Sequence, residues 1–333
     1  MPSRDPQDER RPGLRLHVVT GKGGTGKTTV AGALALALAS AGQRVLLCEV
    51  EDRQGIAQLF DVPPLPYEER SIAVAAKGGE VYALAIDPES ALLEYLAMYY
   101  RLGRAGKALD RFGVIDFATT IAPGVRDVLL TGKVYEAARR RTKDGDLIYD
   151  AVVLDAPPTG RIARFLNVNT EVAGLAKVGR IRRQADSIMT LLRSRRTAVH
   201  LVTLLEEMPV QETQDAIAEL TAAELPVGSV IVNLQHRSPL DKAAQAQVAD
   251  GELGPRDVVK GLATVGVEAS TATATGLLDE ARDHLARLDL QERQRAVVDG
   301  LGVPVVELPR LTDGVDLGAM YDLAHELRSQ GLP

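Results

Sequence analysis

The fold is decided by residues 14–29, which read L-R-L-H-V-V-T-G-K-G-G-T-G-K-T-T and precede the apolar run V-A-G-A-L-A-L-A-L-A-S-A-G. A β-branched run, a glycine-rich loop and a long apolar run predict a strand, a tight turn and a buried helix in succession. Within the loop, Gly21, Gly26, Lys27 and Thr28 complete the pattern G-x-x-x-x-G-K-[ST]. The strand before it and the helix after it are the context that this phosphate-binding P-loop motif requires.

The chemistry of a nucleoside triphosphate explains each residue type in the loop. Glycines let successive backbone N–H groups curl around phosphate, and the helix N-terminus adds its positive dipole end. Lys27 would reach the β and γ oxygens as a catalytic cation, and the Thr28 hydroxyl would bind Mg²⁺. We therefore predict ATP or ADP with Mg²⁺ as the ligand. The predicted nucleotide-binding residues here are Gly21, Gly23, Gly24, Thr25, Gly26, Lys27, Thr28 and Thr29.

A dinucleotide-binding loop is the main alternative at this position. Gly21, Gly23 and Gly26 also fit G-x-G-x-x-G, and Glu49 or Glu51 stands where such a fold places its ribose-binding acid. A dinucleotide loop has no use for Lys-Thr directly after its third glycine, whereas a triphosphate site needs both. The pattern therefore favours the triphosphate.

Composition restricts the class of protein. With 39 Lys and Arg against 45 Asp and Glu among 333 residues, the net charge is −6, so no nucleic-acid partner is expected. The single cysteine, Cys48, excludes a disulfide framework and a Cys-only zinc site within the chain. Residues 1–13 lack an apolar signal region, and no apolar run is long enough to span a bilayer. We expect a cytoplasmic protein with a disordered tail at 1–13.

Seven short apolar runs alternate with helical patterns, which is typical of parallel strands joined by crossover helices. They predict an α/β fold with a doubly wound, mostly parallel sheet of about seven strands in a single P-loop domain over 14–333. The predicted strands are Leu14–Val19, Arg44–Val50, Val81–Ile86, Tyr149–Asp155, Ala198–Thr203, Ser229–Asn233 and Val303–Leu308.

Two further helical stretches interrupt this pattern. A helical insert is predicted at about 87–145, since apolar residues recur there at helical spacing. A basic helix is predicted at about 172–196, with apolar positions on one stripe and arginines beside it. This pattern leaves two alternatives open. The helix could pack its apolar face on the protein and expose its basic face to solvent, or the basic face could be a docking surface for an acidic partner or anionic lipid.

A candidate metal-binding acid follows the fourth predicted strand. Asp155 ends V-V-L-D and precedes A-P-P-T-G, so it is predicted at the carboxyl edge of the sheet beside the P-loop. Its carboxylate would hold a Mg²⁺-bound water, while the turn at Pro158, Thr159 and Gly160 would sense the γ-phosphate. A helix-capping Asp before a proline-stiffened turn is the structural alternative.

The stretch K-G-G-T-G-K-T, which begins at Lys22, resembles the deviant Walker A class of ATPases. This class includes arsenite-pump ATPases, ATPases that target tail-anchored membrane proteins, partitioning and septum-positioning ATPases and the nitrogenase iron protein. The resemblance implies that Lys22 acts catalytically on a partner subunit's nucleotide, within a homodimer or a heterodimer with a paralogous ATPase. From the residues alone, Lys22 could equally be a solvated lysine on an exposed turn.

The run V-V-L-D-A-P-P-T-G-R-I-A-R-F-L resembles the second switch of the arsenite-pump and tail-anchored-protein-targeting family, and similarity extends from about Arg15 to Leu317. The chain is most similar to the bacterial, actinobacterial-like branch called anion-transporting ATPases. The resemblance implies that Asn233 reads the adenine and that a loop from Pro309 to Asp316 packs on the base. Asn233 could also be only a polar strand end.

The chain departs from the family in several places. Where the family has D-P-A-H, with Asp positioning the attacking water, this chain has E-D-R-Q from Glu51. Glu51 is therefore the predicted catalytic acid and a candidate metal contact beside Thr28 and Asp155. Its extra methylene predicts slow hydrolysis. Because the chain lacks the family's zinc-binding CxxC pair and the thiols of an arsenite site, neither zinc nor arsenite binding is expected.

These patterns predict a dimeric, Mg-ATP-dependent switch ATPase that couples its nucleotide state to a partner or client. The alternative is a weakly active or inactive nucleotide-binding regulatory subunit that pairs with a paralogous ATPase; a partitioning or septum-positioning ATPase ranks third. A hydrophobic protein is the candidate client, although core or dimer packing explains the same apolar positions. Those positions are Leu93, Leu96, Tyr99, Tyr100, Leu129, Leu130 and Val134.

Overall fold

A computed structural model of the chain describes residues 13–51, 53–100, 124–175, 180–236, 238–311 and 314–332. Apart from its last residue, Gly13, the predicted tail lies outside this description, as does the middle of the predicted helical insert at 101–123. Among the described residues, no helix is both long enough and apolar enough to cross a lipid bilayer.

One eight-stranded sheet organises the described chain, in the order β3-β4-β2-β5-β1-β6-β7-β8. All neighbours are parallel except β3 and β4, which confirms the predicted doubly wound α/β fold. The strands are β1 Leu16–Gly21, β2 Arg44–Glu49, β3 Arg70–Val74, β4 Glu80–Ala85, β5 Ala151–Asp155, β6 Thr197–Thr203, β7 Val227–Gln235 and β8 Val305–Pro309.

The central strands are apolar because helices cover both of their faces. Every residue of β1, β5 and β6 is buried, and half of these residues are Val or Leu, interrupted by buried polar residues such as His17 and His200. The strand that the sequence did not predict, β3, is the antiparallel edge strand, and none of its residues is buried. An exposed edge does not require an apolar run, so its sequence carries little strand signal.

The described helices lie between these strands. They are α1 Lys27–Ser40, α2 Gly55–Leu59, α3 Pro88–Tyr100, α4 Val125–Arg139, α5 Thr159–Leu175, α6 Arg180–Leu192, α7 Glu207–Ala222, α8 Lys242–Ala249, α9 Pro255–Thr264, α10 Thr271–Asp299 and α11 Leu317–Ser329. Helix α1 is apolar on all sides because it is enclosed between the sheet and α11, and every residue from Val30 to Ala39 is buried. On the opposite face, α4, α5 and α6 contribute to a second apolar cluster.

The parallel topology brings the carboxyl ends of the central strands together. Asp155 at the end of β5 is in register with Val19 of β1 and with Glu49 at the end of β2. The loop after β1 therefore opens at the same edge of the sheet as both acids, which is where open α/β sheets bind their ligands.

The structure describes parts of the two predicted helical stretches. The described parts of the insert are α3 and α4, where Leu129, Leu130 and Val134 are buried in the second apolar cluster. These three residues therefore serve core packing, the alternative to a client groove, while the side chains of Leu96, Tyr99 and Tyr100 lie outside the description.

The described residues of the predicted basic helix lie in two helices and a turn. Helix α5 ends at Leu175, α6 runs from Arg180 to Leu192, and residues 193–196 form the turn before β6. The apolar face of α6 packs against the protein, because Ala185, Ile188 and Leu192 are buried. This burial agrees with the solvated-helix alternative.

Candidate functional site

The loop between β1 and α1 has the closed geometry of a phosphate cradle. The carbonyl of Lys22 accepts hydrogen bonds from the backbone N–H of Thr25, at 3.3 Å, and from its hydroxyl, at 2.8 Å. Gly26 adopts the left-handed conformation (φ 85°) directly before α1 begins at Lys27. The turn therefore delivers the positive N-terminus of a buried helix to the sheet edge.

Two of the loop glycines are required by their surroundings. A Cβ at Gly21 would collide with the backbone carbonyl of Val202 on the adjacent strand β6. A Cβ at Gly26 would collide with the amide nitrogen of Asn233, in addition to straining the positive φ. The motif glycines thus let the loop pack tightly against its neighbours.

The side chains of Lys27, Thr28 and Asp155 converge at the end of β1 and β5. Lys27 is only 9% exposed at the start of α1, and the hydroxyl of Thr28 donates a 2.6 Å hydrogen bond to Oδ2 of Asp155. Asp155 is 7% exposed. The structure therefore brings together the predicted phosphate-binding lysine, the predicted metal-binding hydroxyl and the predicted metal-binding acid.

The carboxylate of Asp155 has the properties of a cation ligand. Burial raises its pKa to about 6, and the negative charges of Glu49 and Glu51 add to this effect, while Thr28 and Lys27 oppose it. Its Oδ1 atom is buried and finds no hydrogen-bond partner among the described residues. A carboxylate and a hydroxyl are oxygen ligands that Mg²⁺ prefers, so the residues present fit that ion.

Glu51 follows β2 on the same sheet edge. Its side chain is 21% exposed, and its Oε2 lies 3.9 Å from Nη2 of Arg53. Glu51 contributes to the raised pKa of Asp155, so the two carboxylates are close enough to interact. The predicted catalytic acid is therefore close enough to Asp155 for their charges to interact.

Glu49, the other acid of the dinucleotide alternative, has a structural role. Its Oε1 accepts hydrogen bonds from the backbone N–H groups of Arg53 (3.0 Å) and Gly55 (3.1 Å), and its Oε2 accepts one from Ile56 (3.2 Å). It is also buried. Because Glu49 holds the loop that leads into α2, its carboxylate does not serve as a ribose-binding acid here.

Gln54 fixes the same loop from its other side. It has a positive φ of 54°, which is uncommon for a residue with a side chain. Its side-chain amide pairs with the backbone of Leu65 in both directions, donating at 3.1 Å and accepting at 2.7 Å. Residues 53–56 are therefore held by Glu49 on one side and, through Gln54, by Leu65 on the other.

The turn after β5 contacts the P-loop strand directly. The hydroxyl of Thr20 in β1 donates a 2.6 Å hydrogen bond to the carbonyl of Pro157. Helix α5 begins at Thr159, which is buried, and Gly160 is exposed in its first turn. Pro158 is half-buried. The predicted second switch therefore adjoins the P-loop.

Lys22 points to an acid of its own chain. Its Nζ lies 2.7 Å from Oε1 of Glu212 in α7, and Oε2 of Glu212 accepts a 3.1 Å hydrogen bond from the Thr159 hydroxyl. Lys22 is thus ion-paired within its own chain and is not simply a solvated lysine on an exposed turn.

Asn233 also contacts the P-loop. Its amide nitrogen donates a 2.9 Å hydrogen bond to the carbonyl of Thr25, and the residue is buried in β7. Pro309 ends β8 in register with Gln235, and the backbone N–H of Arg310 bonds to the Gln235 carbonyl. Asn233 and Pro309 therefore lie at the same edge of the sheet as the P-loop. In this structure Asn233 hydrogen-bonds to the loop backbone, which differs from the predicted contact with the adenine base.

Three contacts of the site were not predicted from the sequence: the Glu49 carboxylate on the loop before α2, the Thr20 hydroxyl on Pro157, and Glu212 between Lys22 and Thr159. The position of Glu49 at the end of a predicted strand places it at the edge of the sheet but does not indicate which groups its carboxylate binds. Glu212 lies on an ordinary polar helix face 190 positions beyond Lys22 (212 − 22), so no local pattern marks it.

Comparison with known proteins identifies similar sequences. Residues 14–195 match the family of anion-transporting ATPases. The chain is 55% identical over 323 residues to the ATPase BagA of Mycobacterium tuberculosis and to a putative ATPase of Mycobacterium bovis, covering 97% of this chain and 95% of each relative. It is 26% identical over 262 residues to a putative arsenical pump-driving ATPase of Chlorobaculum tepidum, covering 66% of this chain and 61% of that protein.

Proposed function

Because the chain belongs to the anion-transporting ATPase family, we propose that it binds Mg-ATP at Gly21–Thr29 and hydrolyses it to ADP and phosphate. We further propose that it works as a dimer whose nucleotide state controls the binding of a partner or client. The observation that carries the proposal is the hydrogen bond from Thr28 to the buried Asp155, beside the buried Lys27. A structural turn would not require a buried lysine, a buried acid and a hydroxyl at one sheet edge.

Different residues of the proposed site would bind the phosphates, hold Mg²⁺ and position the attacking water. The loop's backbone N–H groups and the N-terminus of α1 orient the phosphates, and Lys27 supplies positive charge where negative charge develops. Thr28 and Asp155 would hold Mg²⁺, which neutralises phosphate charge when bound. Glu51 would position the attacking water. Pro158, Thr159 and Gly160 would respond to the γ-phosphate, because they lie three to five residues after Asp155 and the adjacent Pro157 contacts β1 through Thr20.

In the proposed dimer, Lys22 of each subunit would contact the nucleotide of the other subunit. A cation supplied from a second subunit can stabilise phosphoryl transfer strongly, as arginine fingers do. Lys22 lies on the P-loop and is 30% exposed, so a second subunit can reach it. The second subunit would be another copy of this chain or a paralogous ATPase, and a hydrophobic protein would be the client.

A regulatory subunit with little or no turnover is the second candidate function. It is favoured by Glu51, which replaces the Asp of the resembling family and has Arg53 within 3.9 Å. A displacement of the carboxylate by about 1 Å can reduce a rate by about 10²-fold. Steady-state hydrolysis by the full chain, alone and with its paralogue, separates the candidates, because an absence of turnover in both cases supports the regulatory subunit.

Replacing Glu51 with glutamine tests the predicted catalytic acid. We expect Glu51→Gln to bind ATP like the parent but to hydrolyse it about 10²-fold more slowly, because an amide neither orients nor deprotonates water as a carboxylate does. Glu51→Asp is the matched control, since it retains the charge and should retain more activity. The measurement is phosphate release under saturating Mg-ATP. A Glu51→Gln rate equal to that of the parent would show that Glu51 is not the catalytic acid.

A further inference from the structure

Glu212 contacts both loops that flank the proposed nucleotide site. One of its carboxylate oxygens lies 2.7 Å from Nζ of Lys22 in the P-loop, and the other accepts a 3.1 Å hydrogen bond from the hydroxyl of Thr159. Thr159 is buried at the start of α5, four residues after Asp155. A single side chain on α7 therefore connects the P-loop lysine to the turn that follows the metal-binding acid.

The two contacts of Glu212 differ in how easily they can be exchanged. The Lys22–Glu212 ion pair is partly exposed, with side chains 30% and 34% accessible, so its net stabilisation is modest and another anion can replace the carboxylate. The Thr159 hydroxyl is buried, so losing its acceptor would leave an unsatisfied polar group. Exchange is therefore expected at Lys22 first.

We propose that Glu212 is a positioning residue that holds Lys22 within its own subunit until a partner's phosphates compete for it. Transfer of the lysine removes the positive charge beside the carboxylate, and the change reaches the Thr159 turn through the other oxygen of Glu212. Glu212 thus couples subunit association to the segment that follows Asp155. This inference rests on the proposed dimeric function, in which Lys22 acts on the nucleotide of the second subunit.

A purely structural ion pair between the P-loop and α7 is the competing explanation. It predicts that removing Glu212 lowers thermal stability and leaves association unchanged or weaker. The positioning role predicts the opposite effect on association, because Lys22 no longer has to leave its own carboxylate. The sign of the change in association therefore separates the two explanations.

The test combines two measurements on the full-length chain. The first is acylation of Lys22 by an amine-reactive reagent without nucleotide, quantified by mass spectrometry, since an ion-paired amine is held away from the reagent. The second is association driven by a non-hydrolysable ATP analogue with Mg²⁺, followed by light scattering. We compare the parent with Glu212→Ala and Glu212→Gln, the latter keeping an acceptor for Thr159. Glu219→Ala is the matched control, because it removes an exposed carboxylate two turns further along α7.

We expect Glu212→Ala and Glu212→Gln to increase Lys22 labelling and to strengthen association by about twofold to fivefold, the range for a partly exposed ion pair. Glu219→Ala should change neither quantity. Unchanged or weaker association in both Glu212 variants would overturn the proposal. In the double variant Lys22→Ala/Glu212→Ala, the gain from removing Glu212 should vanish, whereas a gain that persists without Lys22 would also overturn it.

Failure of the proposed function gives a different result. If the single variant Lys22→Ala associates like the parent, Lys22 does not act on a second subunit, and the dimeric proposal fails together with this inference. If Lys22→Ala loses association while the Glu212 variants match the parent, only the role of Glu212 is wrong.

Discussion

Lys27→Ala is expected to weaken ATP binding by about 10- to 100-fold. A charge-assisted hydrogen bond contributes about 1.5–3 kcal/mol, and Lys27 is the buried cation at the start of α1. Isothermal titration of the full chain with ATP and Mg²⁺ measures the effect. Since the change is local, circular dichroism of the variant should match that of the parent.

A matched control for this prediction is Lys260→Ala, which removes an exposed lysine from α9. It should leave ATP affinity unchanged. If Lys27→Ala bound ATP as tightly as the parent and Lys260→Ala, the assignment of Gly21–Thr29 as the nucleotide site would be wrong.

Asp155→Asn is expected to abolish the dependence of ATP hydrolysis on Mg²⁺ and to reduce hydrolysis by at least about 10²-fold. The amide keeps the size of the side chain but removes the charge that would hold the ion with Thr28. Titration of Mg²⁺ into the ATP-bound protein, followed by phosphate release, measures the loss. Asp144→Asn, in an exposed turn, is the control and should behave like the parent.

Although Asp155→Asn is expected to lower hydrolysis, it is expected to raise the stability of the nucleotide-free protein at pH 7. Burial raises the pKa of Asp155 to about 6, above its ordinary value of 3.8, so the folded state binds a proton more tightly than the unfolded state between these two pH values. The contribution of Asp155 to stability therefore falls as the pH rises through that window, and the ionised carboxylate is unfavourable at pH 7.

Nucleotide-free Asp155→Asn should accordingly melt at a higher temperature than the parent at pH 7, with the difference shrinking as the pH falls from about 6 to about 4. In the parent, Mg²⁺ affinity should weaken as the pH falls through 6, because protons compete for the carboxylate. A variant that lost both Mg²⁺ dependence and thermal stability would indicate a folding defect and would contradict this account of Asp155.

Local sequence predicted the parts of the molecule that are set by local chemistry. The loop from Gly21 to Thr29 was recognisable because each glycine and the Lys-Thr pair have a geometric or electrostatic reason to be there. The central strands were recognisable because burial on both faces demands apolar runs. Asp155 was predicted because a parallel sheet collects its strand ends at one edge.

Other features depend on contacts between distant residues and could not be predicted in this way. Glu49 and Glu51 both follow β2, and only the folded loop shows that Glu49 is engaged by backbone N–H groups while Glu51 remains accessible. The contact of Asn233 with the Thr25 carbonyl joins residues 208 positions apart. Strand β3 escaped prediction because an exposed edge needs no apolar pattern.

The apolar positions of the helical insert illustrate a related limit. A helical stripe predicts that one face is covered but does not identify what covers it. The structure shows that Leu129, Leu130 and Val134 of α4 are covered by the protein's own core. A hydrophobic client, if one is bound, would therefore need a different set of side chains.

The central claim, that Mg-ATP joins two subunits through Lys22, is tested most directly by light scattering. The mass of the parent and of Lys22→Ala is measured with a saturating non-hydrolysable ATP analogue and Mg²⁺, for the chain alone and with its paralogue. The account predicts that the parent associates to twice the mass of one subunit, whereas Lys22→Ala binds the nucleotide but stays a single subunit. Equal association of the two proteins, or no association of the parent under either condition, would contradict it.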